Sequence, residues 1–320
     1  MTFDITNKYS NLESVLHEVN NFVTLEKSDR RRYTDDFNTV RDFLLHEMMN
    51  TDENFSKLYG GPSLAGSYAD NLKVSKPDEF DLVFHLKTPD HRLINVYKDP
   101  RRPGNVLINM IPLLQKISTE WQNRKLYDLL CNLINKEGFL IPAKLQSWIE
   151  SLFTKVLKNC SNSYRFWNGE VYKMYYVKTG PAHTIKVTHG SIFFSIDFVP
   201  GLLFDGSKWP GQRKCPTYAR YTNWIAVPKP INGWRENLSF QSSFVDTERE
   251  IIRGLYDLKN SLRMFKKMRD KLNIQNLKSY YIKTVFLWEM DNLRSNYWRV
   301  NTLSDIFLHV SNSNNINFAQ

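Results

Sequence analysis

Apolar residues recur at helical spacing near the start of the chain. Leu12, Val15, Leu16 and Val19 predict one helix, and Phe37, Val40, Phe43, Leu44 and Met48 predict a second over residues 34–50. Together they read as one long N-terminal helical element, broken or bent near Ser28. Gly60-Gly61-Pro62 marks a turn. LAGSYADNL follows, then a loop through Pro77, after which the period changes to two. EFDLVFHL, residues 79–86, reads as a strand with Phe80, Leu82, Phe84 and Leu86 on one face and Glu79, Asp81, Val83 and His85 on the other. Residues 106–135 and 142–160 have helical spacing, with Pro142 near a helix start. From Tyr164 to Phe198 the pattern is strand-like and aromatic, and TIKVTHGSIFFSIDF predicts a hairpin turning at His189-Gly190. Residues 246–273 and 279–293 return to helix, and the polar tail SNSNNINFAQ is expected to fray at its end. The order predicts an α+β fold: a mixed α/β lobe, then a mostly helical lobe, with a boundary near Trp209 or Pro210.

Composition narrows this picture. A chain of 320 residues, 42% hydrophobic, has ample material for one large domain or two closely joined lobes. Cys131, Cys160 and Cys215 lie far apart and form neither a disulfide framework nor a CxxC zinc pair. A reducing compartment fits that usage. The first residues, MTFDITNKYSNLESVLHEV, carry acids and no apolar run, so they are no signal peptide. No apolar stretch approaches the roughly 20 residues that a membrane span requires. The expectation is a soluble cytoplasmic protein with no membrane partner. P-loop, GxSxG and HExxH motifs are absent from the sequence, and His85, His183 and His189 show no metal-ligand spacing.

Candidate chemistry begins with the strand at 79–86. Glu79-x-Asp81 projects two carboxylates to one side, roughly 6.5–7 Å apart along the backbone. Hard oxygen ligands so placed can share Mg²⁺ ions. Asp197, in SIDFVPG, is the only acid among the apolar residues Ile192 to Leu203, which places it on a central strand. A lone buried carboxylate is costly and needs a partner such as a cation. Three acids around two metals meet the requirement for in-line nucleotidyl transfer. Taken singly, Glu79-x-Asp81 also fits a solvated strand face, and Asp197 fits a salt-bridged or turn-capping acid. Gly66-Ser67 upstream strengthens the functional reading. Glycine admits close backbone approach to a phosphate, and serine adds a hydroxyl donor.

These blocks together resemble the cyclic GMP-AMP synthase-like receptors, nucleotidyltransferases of the Mab family related to the vertebrate cyclic GMP-AMP synthase. The specific matches are GSYADNLKVSKPDEFDLVFHL, SIFFSIDFVPGL and LKSYYIKTVFLWEM. The likeness runs over about residues 10–310 and is loose between these blocks. It implies a bilobal fold: a mixed-sheet catalytic lobe with a long N-terminal spine helix over 1–208, and a helical C-terminal lobe over 209–320. It implies that Glu79, Asp81 and Asp197 are catalytic and hold Mg²⁺ or Mn²⁺. Gly66 and Ser67 resemble nucleotide-phosphate contacts, the stretch from Tyr68 to Ser75 an activation segment, and Tyr280 a base-stacking residue. Ser279 and Lys259 resemble further phosphate contacts. The block SSFVDTEREI places Ser243 and Glu248 as acceptor-base contacts, and Gln241 stands where the vertebrate enzyme has arginine. EREIIRG runs straight into LYDLKN with no cysteine after Cys215, so no zinc is expected. The zinc thumb is missing, as in the insect branch, where double-stranded RNA is the activator the resemblance implies.

Charge agrees with a polyanionic partner. The net charge is +10, and residues 141–230 hold twelve Lys/Arg against four acids. Lys27, Arg30, Arg31 and Arg32 cluster in LEKSDRRRY, and Lys155, Lys158, Lys208, Arg213, Lys214 and Arg220 are further phosphate-contact candidates. Glu26 and Asp29 interleave with the first cluster, so a solvated charged face is the competing reading there. The expected function is a nucleic-acid-activated synthase making a cyclic GMP-AMP-like messenger from ATP and GTP in antiviral innate immunity. Dimerisation on nucleic acid is implied by analogy. An oligoadenylate synthetase-like enzyme and a catalytically inactive scaffold of the same fold stay open as alternatives.

Overall fold

A computed structural model describes residues 11–24, 27–74, 76–166, 169–210, 223–229, 237–274, 276–293 and 296–312. The elements in chain order begin with α1 (Leu12–Val23), α2 (Lys27–Thr51), α3 (Glu53–Leu58), β1 (Tyr59–Ala65), the single turn α4 (Gly66–Ala69) and β2 (Glu79–Leu86). Next come β3 (Asn95–Lys98), β4 (Asn105–Asn109), α5 (Ile111–Ile117), α6 (Arg124–Leu133) and α7 (Pro142–Asn159). The strands β5 (Ser163–Arg165), β6 (Val171–Thr179), β7 (Ala182–His189), β8 (Ile192–Phe204), β9 (Trp224–Val227) and β10 (Phe240–Ser243) follow. The chain continues with α8 (Val245–Ile251), α9 (Tyr256–Lys271), α10 (Ser279–Asn292), α11 (Tyr297–Val300) and α12 (Leu303–Asn312). The chain divides into a sheet unit, residues 31–66 and 78–247, and a helical unit, residues 1–30, 67–77 and 248–320.

The sheet unit is organised around β8. Its Ser195–Leu202 stretch pairs in parallel with β2, while β7 and then β9 run antiparallel along its other edge. β6 and β5 extend the sheet beyond β7, and β10, β4 and β3 extend it beyond β9. One face is apolar. Phe37 of α2 stacks on Phe80 of β2 at 4.4 Å between ring centroids, and Phe153 of α7 lies 5.1 Å from Phe198 of β8. Phe37, Phe80, Phe153 and Phe198 are all fully buried. Burial of each such ring contributes about 1.5–3 kcal/mol. The alternation of β2 and β8 therefore turns their acids to the other face.

The helical unit has its own core. Leu258, Leu262 and Phe265 of α9 pack with Ile282 and Phe286 of α10, Ile306 and Val310 of α12, and Leu72 from the segment after α4. Leu16 of α1 packs with Met264 and Leu303. Glu13 accepts hydrogen bonds from the backbone N–H groups of Leu303 and Ser304, satisfying orphan donors at the start of α12.

Four sequence expectations need correction. Gly60-Gly61-Pro62, expected to mark a turn, lies within β1, whose register with β2 shifts between Tyr59 and Pro62. The N-terminal element divides at Thr24, whose extended backbone ends α1, and Ser28 lies inside α2. Asn105–Asn109 is a strand, because pairing with β3 and β10 overrides the apolar run that had been read as the start of a helix. Helix over 246–273 is interrupted after Ile251, and Gly254 takes φ +72°. The strand at 79–86 and the His189-Gly190 hairpin match their expected positions.

Candidate active site

The parallel register aligns Asp81 of β2 with Asp197 of β8, and Glu79 with Ser195. Neighbouring strands lie about 4.8 Å apart, and residues two apart share a face. Glu79, Asp81 and Asp197 therefore converge, with one carboxylate oxygen of each within 4.8 Å of the others. Glu79 is exposed, and the two aspartates are half-buried. Burial raises the Asp197 pKa above the usual carboxylate range. A hydrogen bond from Thr184 Oγ1, 2.5 Å from Asp197 Oδ1, opposes that shift, and the nearby Glu79 charge adds to it. Thr184 stands directly opposite Asp197 on β7, and Thr179 Oγ1 lies 2.5 Å from the Thr184 hydroxyl. The arrangement fits divalent cations: three hard oxygen donors converge on one face, and Asp197 is disfavoured as a charge beside its acidic neighbour Glu79.

Gly66 abuts this cluster. β1 pairs with β2 so that Ala65 opposes Asp81, and Gly66 follows with φ +68°. A Cβ at Gly66 would stand 1.8 Å from Asp81 Oδ2. The position thus excludes side chains twice, by backbone conformation and by space, independently of any phosphate. In the sheet unit, Gln241 and Ser243 lie on β10, opposite Val227 and Ile225 of β9, and both are half-buried.

The helical unit holds the remaining predicted nucleotide contacts. Ser67 is half-buried, and its carbonyl accepts from the Leu72 N–H at 2.7 Å. Tyr280 keeps 54% of its surface exposed, and its hydroxyl donates to Glu248 Oε1 at 3.0 Å. Lys283 joins Glu248 at 2.9 Å and Asp70 at 2.6 Å. Burial opposes the Lys283 charge, and the two acids outweigh it, leaving the pKa raised. Arg249 Nε lies 3.5 Å from Asp70 Oδ1. Ser279 Oγ accepts from Arg269 at 2.6 Å. Lys259 is half-buried, and burial lowers its pKa.

The basic candidates differ among themselves. Arg31, Arg32, Lys155 and Lys158 are exposed. Arg30 donates to Asn71 Oδ1 at 2.6 Å and sits 5.2 Å over the Tyr68 ring, and Lys208 donates to the Ile94 carbonyl. Arg213, Lys214, Arg220, Cys215, Ser75 and the Lys27 side chain lie outside the described residues.

Sequence reasoning passed over Thr184 and Lys283. Thr184 was within reach: a hairpin that pairs His189 with Ile192 puts Asp197 opposite residue 184 by counting. Lys283 carries no such signal, because its partner Asp70 is 213 residues away.

The Mab-21 protein nucleotidyltransferase domain matches residues 68–254, and the Mab-21 protein HhH/H2TH-like domain matches residues 257–315. The chain is 39% identical over 293 residues to cyclic GMP-AMP synthase-like receptor 1 of Drosophila erecta, covering 90% of this chain and 64% of that protein. It is 38% identical over 292 residues to the cyclic GMP-AMP synthase-like receptor of Lucilia cuprina, covering 90% of this chain and 77% of that one. Receptor 1 of Drosophila melanogaster is 36% identical over 304 residues, covering 94% and 79%. The chain therefore spans less than two thirds of the Drosophila erecta protein and more than three quarters of the other two.

Proposed function

The chain belongs to the Mab-21 nucleotidyltransferase family, with the cyclic GMP-AMP synthase-like receptors, and from that premise we propose that it is a nucleic-acid-activated cyclic dinucleotide synthase of innate immunity. The observation that carries the chemistry is the convergence of Glu79, Asp81 and Asp197 on one sheet face. Those three residues would hold Mg²⁺ or Mn²⁺. Bound there, the ions supply Lewis acidity to the attacking hydroxyl and charge neutralisation at the leaving pyrophosphate. ATP and GTP are the substrates in this reading. A ribose hydroxyl oxygen bonds to an α-phosphorus while the bond to pyrophosphate breaks, and a second round closes the ring.

The protein's own part is positioning. Register fixes the spacing of the three carboxylates, and Thr184 orients Asp197. Gly66 leaves room for the Asp81 carboxylate. Ser67, Lys259 and Ser279 serve the phosphates, Gln241, Ser243 and Glu248 the acceptor base, and Tyr280 stacks on a base. The hydrogen bond from Tyr280 to Glu248 supports that role, since it anchors the ring's edge while much of the ring stays exposed. Double-stranded RNA is the activator, held through phosphates by the exposed Arg31, Arg32, Lys155 and Lys158 among the basic set. Activation requires the RNA to bind the active conformation more tightly than the inactive one. Messenger release in the cytoplasm and dimerisation on RNA belong to the same proposal.

Product identification tests it. The full chain is incubated with all four nucleoside triphosphates and Mg²⁺, with and without double-stranded RNA, and products are separated by chromatography and weighed. A cyclic guanine–adenine dinucleotide formed only with RNA is expected. Linear oligomers would replace this reading with an oligoadenylate synthetase-like one, and silence across RNA and DNA panels would leave a scaffold.

A further inference from the structure

The face that carries the carboxylates continues sideways along the sheet. Strand register sets its residues in rows. In one row, Glu79 of β2 is followed by Ser195 of β8, Lys186 of β7 and Tyr175 of β6. In the next, Phe193 of β8 is followed by Thr188 and Lys173. Arg165 of β5 pairs with Val171, two residues from Lys173, and so shares this face. The alternate residues Met174, Ile185, Val187, Phe194 and Ile196 are buried on the apolar side.

This surface is open. Phe193 is 54% exposed and Tyr175 is 55% exposed, and Lys173, Lys186 and Arg165 are exposed with them. Beyond Glu79, Asp81 and Asp197, the described residues of this face on β5 to β8 carry three cations and no acid. Register puts the Lys186 backbone roughly 8 Å from that of Asp197, and the Phe193 and Tyr175 positions roughly 12 Å apart with Lys186 between their strands.

We propose that this face is a platform for a single-stranded oligonucleotide whose end reaches the carboxylates. The ligand class rests on the nucleotidyl-transfer reading of the same site. Exposed aromatic rings offer π-faces on which bases stack whatever their sequence, and the interleaved cations match phosphates. A sheet surface bearing aromatic residues is a recurrent way to hold unpaired bases. Duplex nucleic acid hides its base faces and cannot use the rings. A protein partner would call for a contiguous apolar patch, whereas these two rings are separated by a lysine strand. Continuity with a cluster built to hold cations completes the charge match, because a phosphate chain can pass from lysines to metal-bearing acids.

Binding of a fluorescein-labelled oligouridylate of about ten residues, within the usual site size of such surfaces, tests this by anisotropy on the full chain. Phe193→Ala with Tyr175→Ala should weaken binding at least tenfold. Lys173→Ala with Lys186→Ala should lower the slope of log affinity against log salt by about 1.4. Both pairs are exposed, and an unchanged far-UV circular dichroism spectrum confirms that each variant is folded. Asp81→Asn with Asp197→Asn, which should stop transfer, should still bind the strand. Affinity and salt slope unchanged by either pair, or binding of duplex without single strands, would overturn the platform. Strand binding through the rings in a chain that transfers no nucleotide would retain the platform and discard the transfer reading. Transfer with ring-independent binding would do the reverse.

Discussion

Each unit gathers acids at close range, and their surroundings differ. In the sheet unit, Glu79, Asp81 and Asp197 converge on one another, and both burial and the Glu79 charge make Asp197 harder to ionise. In the helical unit, Asp70 and Glu248 converge on Lys283, and their attraction overcomes the burial of that lysine. Asp70 is 3% exposed, deeper than any member of the first cluster. Depth alone therefore does not mark the functional site. The neighbours differ as well: Lys283 lies between Asp70 and Glu248, whereas the Glu79 charge adds to the burial that disfavours ionised Asp197.

The largest expected effect breaks this contrast at its first term. Asp81→Asn with Asp197→Asn should lower pyrophosphate release from ATP and GTP at least a thousandfold, equivalent to about 4 kcal/mol in the barrier. The same variant should melt no lower than the parent, because burial and the Glu79 charge both disfavour ionised Asp197. Nucleotidyl transfer that survives the double substitution, or a clear fall in Tm, would remove the distinction between the clusters.

Lys283→Met tests the second term. It leaves Asp70 and Glu248 without their shared ammonium in a buried setting, and breaking such a network costs about 3–5 kcal/mol. Calorimetry should show the transition of the helical unit moving down by many degrees. A variant that melts with the parent would mean that Arg249, 3.5 Å from Asp70, compensates alone.

Gly66→Ala sharpens the first cluster further. The new Cβ would overlap the Asp81 carboxylate, and the left-handed backbone adds strain. A displacement of about an ångström at a reacting group costs roughly a hundredfold in rate. We expect that loss in turnover, with tighter binding of Mn²⁺ ruled out by titration calorimetry. Full activity would show that Asp81 can move aside without consequence.

How much of this was legible beforehand follows from the period of each segment. β2 matched its predicted limits because Glu79 to Leu86 alternates over eight residues, and the same alternation put both of its acids on one face. Asp197 was recognisable as one charge in an apolar strand. Thr184 was recoverable from the hairpin count and went unread. β9 and β10 went unread because four residues each, Trp224–Val227 and Phe240–Ser243, carry too little period to separate strand from loop. Asn105–Asn109 merged with the apolar residues of α5, and only pairing with β3 and β10 distinguishes it. The Asp70–Lys283 pair lives wholly in tertiary structure, where sequence spacing is silent.

Lys266 gives the smallest effect and the finest cut through the comparison. It is buried in the helical unit like Lys283, and its ammonium donates to the Leu72 carbonyl at 2.7 Å. Burial lowers its pKa to about 8, with Arg269 and Lys73 adding to that shift and Asp270 and Asp70 opposing it. Between pH 8 and the ordinary lysine value of 10.5, the unfolded chain holds this proton more firmly than the folded one. The unfolded state then binds more protons, so this group makes the protein more stable as pH rises through that window, by at most about 1.4 kcal/mol per pH unit. Below pH 8 both states are charged, and the buried ammonium carries its full penalty. Lys266→Met should therefore change stability at pH 7 by about 1 kcal/mol or less, since relief from the buried charge offsets the lost hydrogen bond. Urea unfolding of parent and variant from pH 7 to pH 10 checks this: the parent should gain on the variant as pH rises. A variant that loses as much at pH 7 as Lys283→Met would show that a carbonyl satisfies a buried lysine as well as two carboxylates do.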